Sequence, residues 1–185
     1  MYKNLFDKLD SLLEKGRITL AIEGGSASGK TTLAELLKER YDATVFHTDD
    51  FFLQPHQRTP ERFAEIGGNL DRERLLSEVL IPLKEGKTVE YRKFDCSTMT
   101  LCEAERITPK KLVVVEGAYS MHPEFREFYD LSVLLSISED LQKNRILKRN
   151  PDRAQRFFNE WIPLEKRYFS EMKIKEKCDI VVEIK

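Results

Sequence analysis

Lys30 and Thr31 close an eight-residue stretch, Gly24-Gly25-Ser26-Ala27-Ser28-Gly29-Lys30-Thr31, that reads G-x-x-x-x-G-K-T. These residue types at this spacing bind phosphate. Glycines let the backbone turn its N–H groups inward around an anion. An ammonium at Lys30 reaches the β- and γ-phosphates, and the Thr31 hydroxyl can ligate Mg²⁺. Thr32 follows in the same turn. Two further places carry carboxylates, Asp49-Asp50 and Glu116. Beside a phosphate loop, one carboxylate can hold the metal's surroundings and another can orient or deprotonate an attacking hydroxyl. Taken alone, Asp49-Asp50 reads equally well as a turn or helix cap. Glu116-Gly117 alone reads as a solvated strand end.

The flanking sequence supplies the elements that these groups need. Ile18 to Ile22 is a short apolar run, read as a buried strand ahead of the loop. After the loop, Leu33, Leu36 and Leu37 recur at helical spacing, so a helix points its positive end at the bound anion. Ala43 to Phe46 reads as a second strand that delivers Asp49-Asp50. Leu112-Val113-Val114-Val115 is a continuous apolar run, as in a parallel strand covered on both faces, and it delivers Glu116. Leu131 to Ile137 and Asp179 to Ile184 are further strands. Leu70 to Leu80 is a predicted helix closed by Pro82 and Gly86. Thr88 to Phe94 is a predicted strand, paired as a hairpin with Thr100 to Ile107. Ser138-Glu139 opens a helix to about Arg149, interrupted by Asn150-Pro151. Arg153 to Lys177 reads as mostly helical, broken near Pro163. Helices separate the main strands, which predicts a doubly wound, mainly parallel α/β sheet with helices on both faces. Residues 1–185 read as one domain, without repeats, low-complexity tracts or linkers.

Composition narrows the function classes. Hydrophobic residues make up 41% and charged residues 34% of the 185, an ordinary globular balance. The formal net charge of −1 favours neither nucleic acid nor an anionic membrane. No apolar run reaches membrane-spanning length. Tyr2 to Lys15 spaces Leu5, Phe6, Leu9, Leu12 and Leu13 as an amphipathic helix, not as a targeting peptide. Three widely spaced cysteines, Cys96, Cys102 and Cys178, suggest reduced thiols in a cytoplasmic protein.

With the loop, Asp49-Asp50-Phe51-Phe52 and Val115-Glu116-Gly117 in this order, the chain resembles the uridine kinase and phosphoribulokinase group of P-loop kinases. The loop is generic to many nucleotide hydrolases; the other two elements narrow the resemblance. It implies a P-loop fold with an Arg-bearing lid, and ATP and Mg²⁺ as cofactors. It implies that Asp49 activates the acceptor hydroxyl, with Asp50 behind it. Thr31, Asp49 and Glu116 would surround the metal. Leu70-Asp71 is similar to the element whose Asp binds ribose hydroxyls, and Phe94-Asp95 to the segment lying against the base. Arg145 to Arg153 fits the lid, with Arg145, Arg149 and Arg153 as candidate phosphate contacts, since arginine's fork binds phosphate bidentately. A solvated basic helix face is the plainer reading of any one of them.

Two features depart from uridine kinases. Cys96-Ser97-Thr98-Met99 follows Asp95, where the group's base-selecting aromatic and histidine pattern is expected. Trp161-Ile162-Pro163 and Tyr168 to Met172 look somewhat like nicotinamide riboside kinases. Trp161, the single tryptophan, reads first as a helix-packing residue. The expected acceptor is a small molecule, most simply a nucleoside. Nicotinamide riboside, pantothenate or a sugar phosphate are alternatives. A homo-oligomer is compatible with the sequence, and no nucleic-acid or membrane partner is expected. A slowly hydrolysing nucleotide switch competes from another class, but the Asn-Lys-x-Asp element of guanine-specific switches is missing. An RNA-binding reading of Arg145 to Arg156 is disfavoured by the near-neutral charge.

Overall fold

The computed structural model describes residues 1–185. After the helix α1 (Lys3–Lys15) the strands run β1 (Ile18–Gly24), β2 (Thr44–His47), β3 (Val89–Tyr91), β4 (Phe94–Asp95), β5 (Thr100–Leu101), β6 (Glu105–Ile107), β7 (Leu112–Glu116), β8 (Leu131–Ile137) and β9 (Ile180–Ile184). Five of them form one parallel sheet in the order β2-β7-β1-β8-β9. Helices cover both of its faces. Along β7, Leu112 and Val114 join a core with Leu5, Leu9, Leu33 and Leu37, while Val113 and Val115 join another with Phe46, Phe51 and Tyr168. Both sides of the strand are buried, which is why it reads as an unbroken apolar run.

The register brings the chemistry level. Ile22 lies opposite Glu116, and His47 lies opposite Glu116 from the other side. The residues that follow these strands, the phosphate loop from Gly24 and the turn Thr48–Phe51, therefore emerge at one edge of the sheet. This is the carboxyl edge, where such sheets place ligands.

Three sequence expectations need correction. The predicted hairpin is two short ladders, β3 with β6 and β4 with β5, joined where the Cys102 N–H meets the Lys93 carbonyl at 2.8 Å. The helix expected to stop at Pro82 runs from Arg72 to Lys84, and the one expected to break near Pro163 runs from Ala154 to Glu171. In each, the turn before an Ile-Pro-Leu sequence widens to a π-turn, Leu76–Leu80 and Phe157–Trp161. The Ile81 N–H bonds to the Leu76 carbonyl, and the Ile162 N–H to the Phe157 carbonyl, each five residues back. A proline ring clashes with the carbonyl four residues before it and donates no hydrogen bond. Widening the turn absorbs that conflict without ending the helix. No helix is long and apolar enough to cross a membrane.

Candidate active site

β1 passes into the phosphate loop, and the helix α2 (Lys30–Tyr41) starts directly after it. Gly29 at the junction has φ +100°, a left-handed conformation that a side chain would resist. The Lys30 ammonium, awaiting no protein carboxylate, donates to the Gly25 carbonyl at 3.1 Å across the loop. Thr31 Oγ1 donates to Glu116 Oε1 at 3.0 Å, and His47 Nδ1 lies 2.6 Å from the same oxygen. Burial works against the charge on Glu116, but the His47 hydrogen bond and the Lys30 charge hold its carboxyl below the ordinary range. The same bond raises His47 against its own burial. After Glu116, Gly117 packs so closely on Thr48 that a Cβ would overlap the Thr48 hydroxyl. That hydroxyl donates to the Ala118 carbonyl at 3.1 Å, so the two strand ends are fastened together.

A cavity of about 310 Å³ opens over these groups. Ser26, Ala27, Gly29, Lys30, Thr31 and Thr32 line it from the loop and α2. Asp49 and Glu116 line it from the strand ends, and Arg149 from the helix Glu139–Arg149. Asp49 is an exposed residue at the cavity, yet the atoms packed around its carboxyl partly desolvate it and raise it, opposed by the charge of Lys30. Asp50 does not reach this cavity; its carbonyl accepts from Arg74 Nη2 at 2.8 Å. A second cavity, about 570 Å³, lies on the outer side of the loop, lined by Tyr2, Ser28, Arg145 and Lys148. Ala27, Gly29, Thr32 and Arg149 border both.

Other candidates stand elsewhere. Gly24 and Gly25 shape the loop from beneath, and neither they nor Ser28 line the inner cavity. Arg145 Nη1 donates to the Ala27 carbonyl at 3.1 Å, bracing the loop from outside. Asp71 is 2% exposed, caps the helix that starts at Arg72 by accepting from the Arg74 N–H, and pairs with the Arg74 guanidinium at 3.3 Å. Phe94 is buried in β4 under Arg58, and Asp95 accepts from Ser97 at an exposed turn. Arg153 is exposed and borders neither cavity. Its neighbour segment, Pro151–Arg153, is a 3-10 turn between two helices, as the Asn150-Pro151 break suggested.

Sequence reasoning missed one side of the site. Glu165 accepts from the Ser26 N–H at 3.0 Å and from its hydroxyl at 2.6 Å, and Gln142 donates to the Ser26 carbonyl at 2.9 Å. Both fasten the phosphate loop to the C-terminal helices. Glu165 lines the cavity with Phe157 and Trp161, which stand four residues apart along the same helix. Trp161 packs edge-on against Phe157, centroids 4.4 Å apart, and faces the cavity as well. Glu165, four residues after Trp161 and eight after Phe157, was the available signal.

The donor set fits the expected cofactors. Loop N–H groups and the Lys30 ammonium suit phosphate. Thr31 and Glu116 offer hard oxygens, as Mg²⁺ prefers when phosphates and water complete its shell. No three His, Cys, Asp or Glu residues gather to hold a metal unaided.

A model of the phosphoribulokinase / uridine kinase family matches residues 19–159. The uridine kinase of Chlamydia pneumoniae is 30% identical over 139 residues, covering 70% of this chain and 61% of that protein. The phosphoribulokinase of Synechocystis sp. is 29% identical over 145 residues, covering 75% of this chain and 43% of that one. Uridine kinase-like protein 4 of Arabidopsis thaliana is 26% identical over 149 residues, 75% of this chain and 31% of its own. The match thus spans less than two thirds of each of these relatives. Among solved structures, a possible uridine kinase from Bacillus stearothermophilus superposes with a TM-score of 0.70 at 25% identity, covering 96% of this chain and 98% of that one. The sheet and its helices are those of the P-loop α/β fold.

Proposed function

Because the chain belongs to the phosphoribulokinase / uridine kinase family, we propose that it is an ATP-dependent kinase that transfers the γ-phosphate to a hydroxyl of a small molecule, most simply the 5′-hydroxyl of a nucleoside. One observation carries this reading. Asp49, Lys30 and the Thr31–Glu116 pair face a single cavity, with the phosphate loop as its floor. ATP would lie with its base toward the outer cavity and its phosphates over the loop residues that both cavities share. Lys30 and Arg149 would draw charge from the transferring phosphoryl group. Thr31 and Glu116 would hold Mg²⁺, which would supply positive charge to the phosphates. Asp49 would accept the proton of the acceptor hydroxyl and hold that oxygen in line. Arg149, at the end of a helix followed by a 3-10 turn, would close over the phosphates and keep water out.

The aromatic wall supports a second acceptor reading. Phe157 and Trp161 beside the Glu165 carboxylate suit a flat, positively charged base such as that of nicotinamide riboside, because ring faces attract cations. ADP formation should be measured with each of uridine, cytidine, nicotinamide riboside, pantothenate and ribulose 5-phosphate, and without acceptor. Turnover dependent on a nucleoside supports the reading. Turnover equal with and without every acceptor would replace it with a nucleotide-hydrolysing switch.

A further inference from the structure

Glu23, the residue before the phosphate loop, has no contact with either cavity, is 0% exposed and still carries a carboxylate. Its oxygens accept from three separate parts of the molecule. Oε1 takes the Gly24 N–H at 2.8 Å, at the root of the loop. Oε2 takes the Met121 N–H at 2.9 Å, in the segment after β7, and the Tyr168 hydroxyl at 2.8 Å, on the helix that ends at Glu171. Each of these parts supplies a cavity wall. The segment after β7 carries Tyr119, whose ring meets Tyr168 edge-on at 4.8 Å. The helix carries Glu165 and Trp161. Arg126 completes the joint, donating to the carbonyls of Met121 and Met172 at 3.1 Å each.

Resting on the kinase reading, we propose that Glu23 is a positioning residue. Its ionised carboxylate sets the spacing between the phosphate loop, the Tyr119 wall and the helix bearing Trp161 and Glu165, so the acceptor geometry forms fully only when Glu23 is charged. Three donors and no acceptor surround the group, an arrangement that suits an anion and leaves a protonated carboxyl with no partner except Tyr168 turned about. The titratable groups facing it are Lys30 from α2, Tyr119 and Tyr129 from the segment between β7 and β8, Tyr168 from the C-terminal helix, and Cys178 ahead of β9. Lys30 favours the anion. The tyrosines and the thiol are themselves raised, so they stay neutral in the working range. Burial pushes Glu23 up to about 7, against the three hydrogen bonds and Lys30.

The test compares wild type, Glu23→Gln, Glu23→Asp and Tyr168→Phe between pH 5.5 and 8.5. In wild type, kcat/KM for the acceptor should rise toward a plateau with an inflection near pH 7, while ATP affinity changes little. Glu23→Gln presents an amide N–H group to N–H donors; it should lose that inflection and lower the acceptor kcat/KM by on the order of tenfold to a hundredfold. Glu23→Asp keeps the charge and should restore the inflection with part of the rate. Tyr168→Phe removes one donor and should move the inflection upward. Trp161 emission, recorded without ligands, should follow the same pH profile in wild type and be flat in Glu23→Gln. A Glu23→Gln enzyme with the wild-type acceptor KM and the wild-type inflection would overturn the proposal. If wild type phosphorylates nothing, the kinase reading falls, and the Trp161 titration then decides Glu23 by itself: an inflection surviving in Glu23→Gln refutes it. If Glu23→Gln does not fold, an unshifted Tyr168→Phe profile refutes it.

Discussion

Asp49 and Asp50 are neighbours with the same chemistry, and one 3-10 turn sends them to different places. Asp49 faces the cavity with Lys30, whereas Asp50 Oδ2 is buried with no partner. Asp49→Asn keeps the shape and removes the base, so kcat should fall by about a hundredfold or more with ATP Kd nearly unchanged. Asp50→Asn should cost far less. Steady-state kinetics on both variants checks this, and the reverse ranking would move the base to Asp50. Arg149 and Arg153 divide in the same way, since only Arg149 borders the cavities. Arg149→Ala should lower kcat by on the order of a hundredfold to a thousandfold, more than it weakens ATP binding to the free enzyme. Arg153→Ala should do much less. Arg149→Lys should recover little, because lysine lacks the bidentate fork. Equal kcat in Arg149→Ala and wild type would return Arg149 to the solvated helix face.

At the scale of elements, legibility followed distance along the chain. The strand, glycine loop and helix that build the phosphate site are contiguous, so local pattern was enough to read them. The strand ends with Asp49 and Glu116 were legible because apolar runs stop abruptly there. Glu165 was not, because its partner Ser26 lies 139 residues away, and Glu23 was hidden likewise, 145 residues from Tyr168. Asp71 resembled a ligand residue by its place before a helix, and the structure uses that place for capping and for Arg74. The prolines misled for another reason: a π-turn lets a helix pass through a residue that normally ends it. This yields a prediction for the helix 154–171. The widened turn Phe157–Trp161 acts as one added residue. Deleting Asn159 should restore α-pairing, with the flanking turns kept in phase, and drive the Pro163 ring into a carbonyl. Urea unfolding should show a loss of about 3 kcal/mol. Unchanged stability would mean the turn carries no such role.

Over the whole molecule, stability and activity make opposite demands on Glu23. In the folded protein its carboxyl is raised from 4.5 to about 7 by burial. Between these values the folded chain keeps a proton that the unfolded chain has released. The stabilising contribution of the neutral form is therefore complete below about pH 4.5 and is lost as pH rises to about 7. Relative to wild type, Glu23→Gln should gain stability across that window, by roughly 3 kcal/mol in total. Denaturant titrations at pH 4.5, 6 and 7.5 check the slope, and a constant difference between the two proteins would contradict it. The strand order bears on how such a molecule comes into being. β1 is made early, yet both of its neighbours are late: Ile18 lies opposite Leu112, and Leu20 opposite Leu131. During synthesis the phosphate loop's own strand must wait, apolar on both faces, until β7 and then β8 have left the ribosome. Such long-range parallel pairing is slow and leaves an open edge exposed meanwhile. Two early elements can shield that strand on its way to the sheet: the amphipathic α1 before it, packed through Leu5 and Leu9, and α2 directly after it, packed through Leu33 and Leu37, on the same core as Leu20 and Ile22.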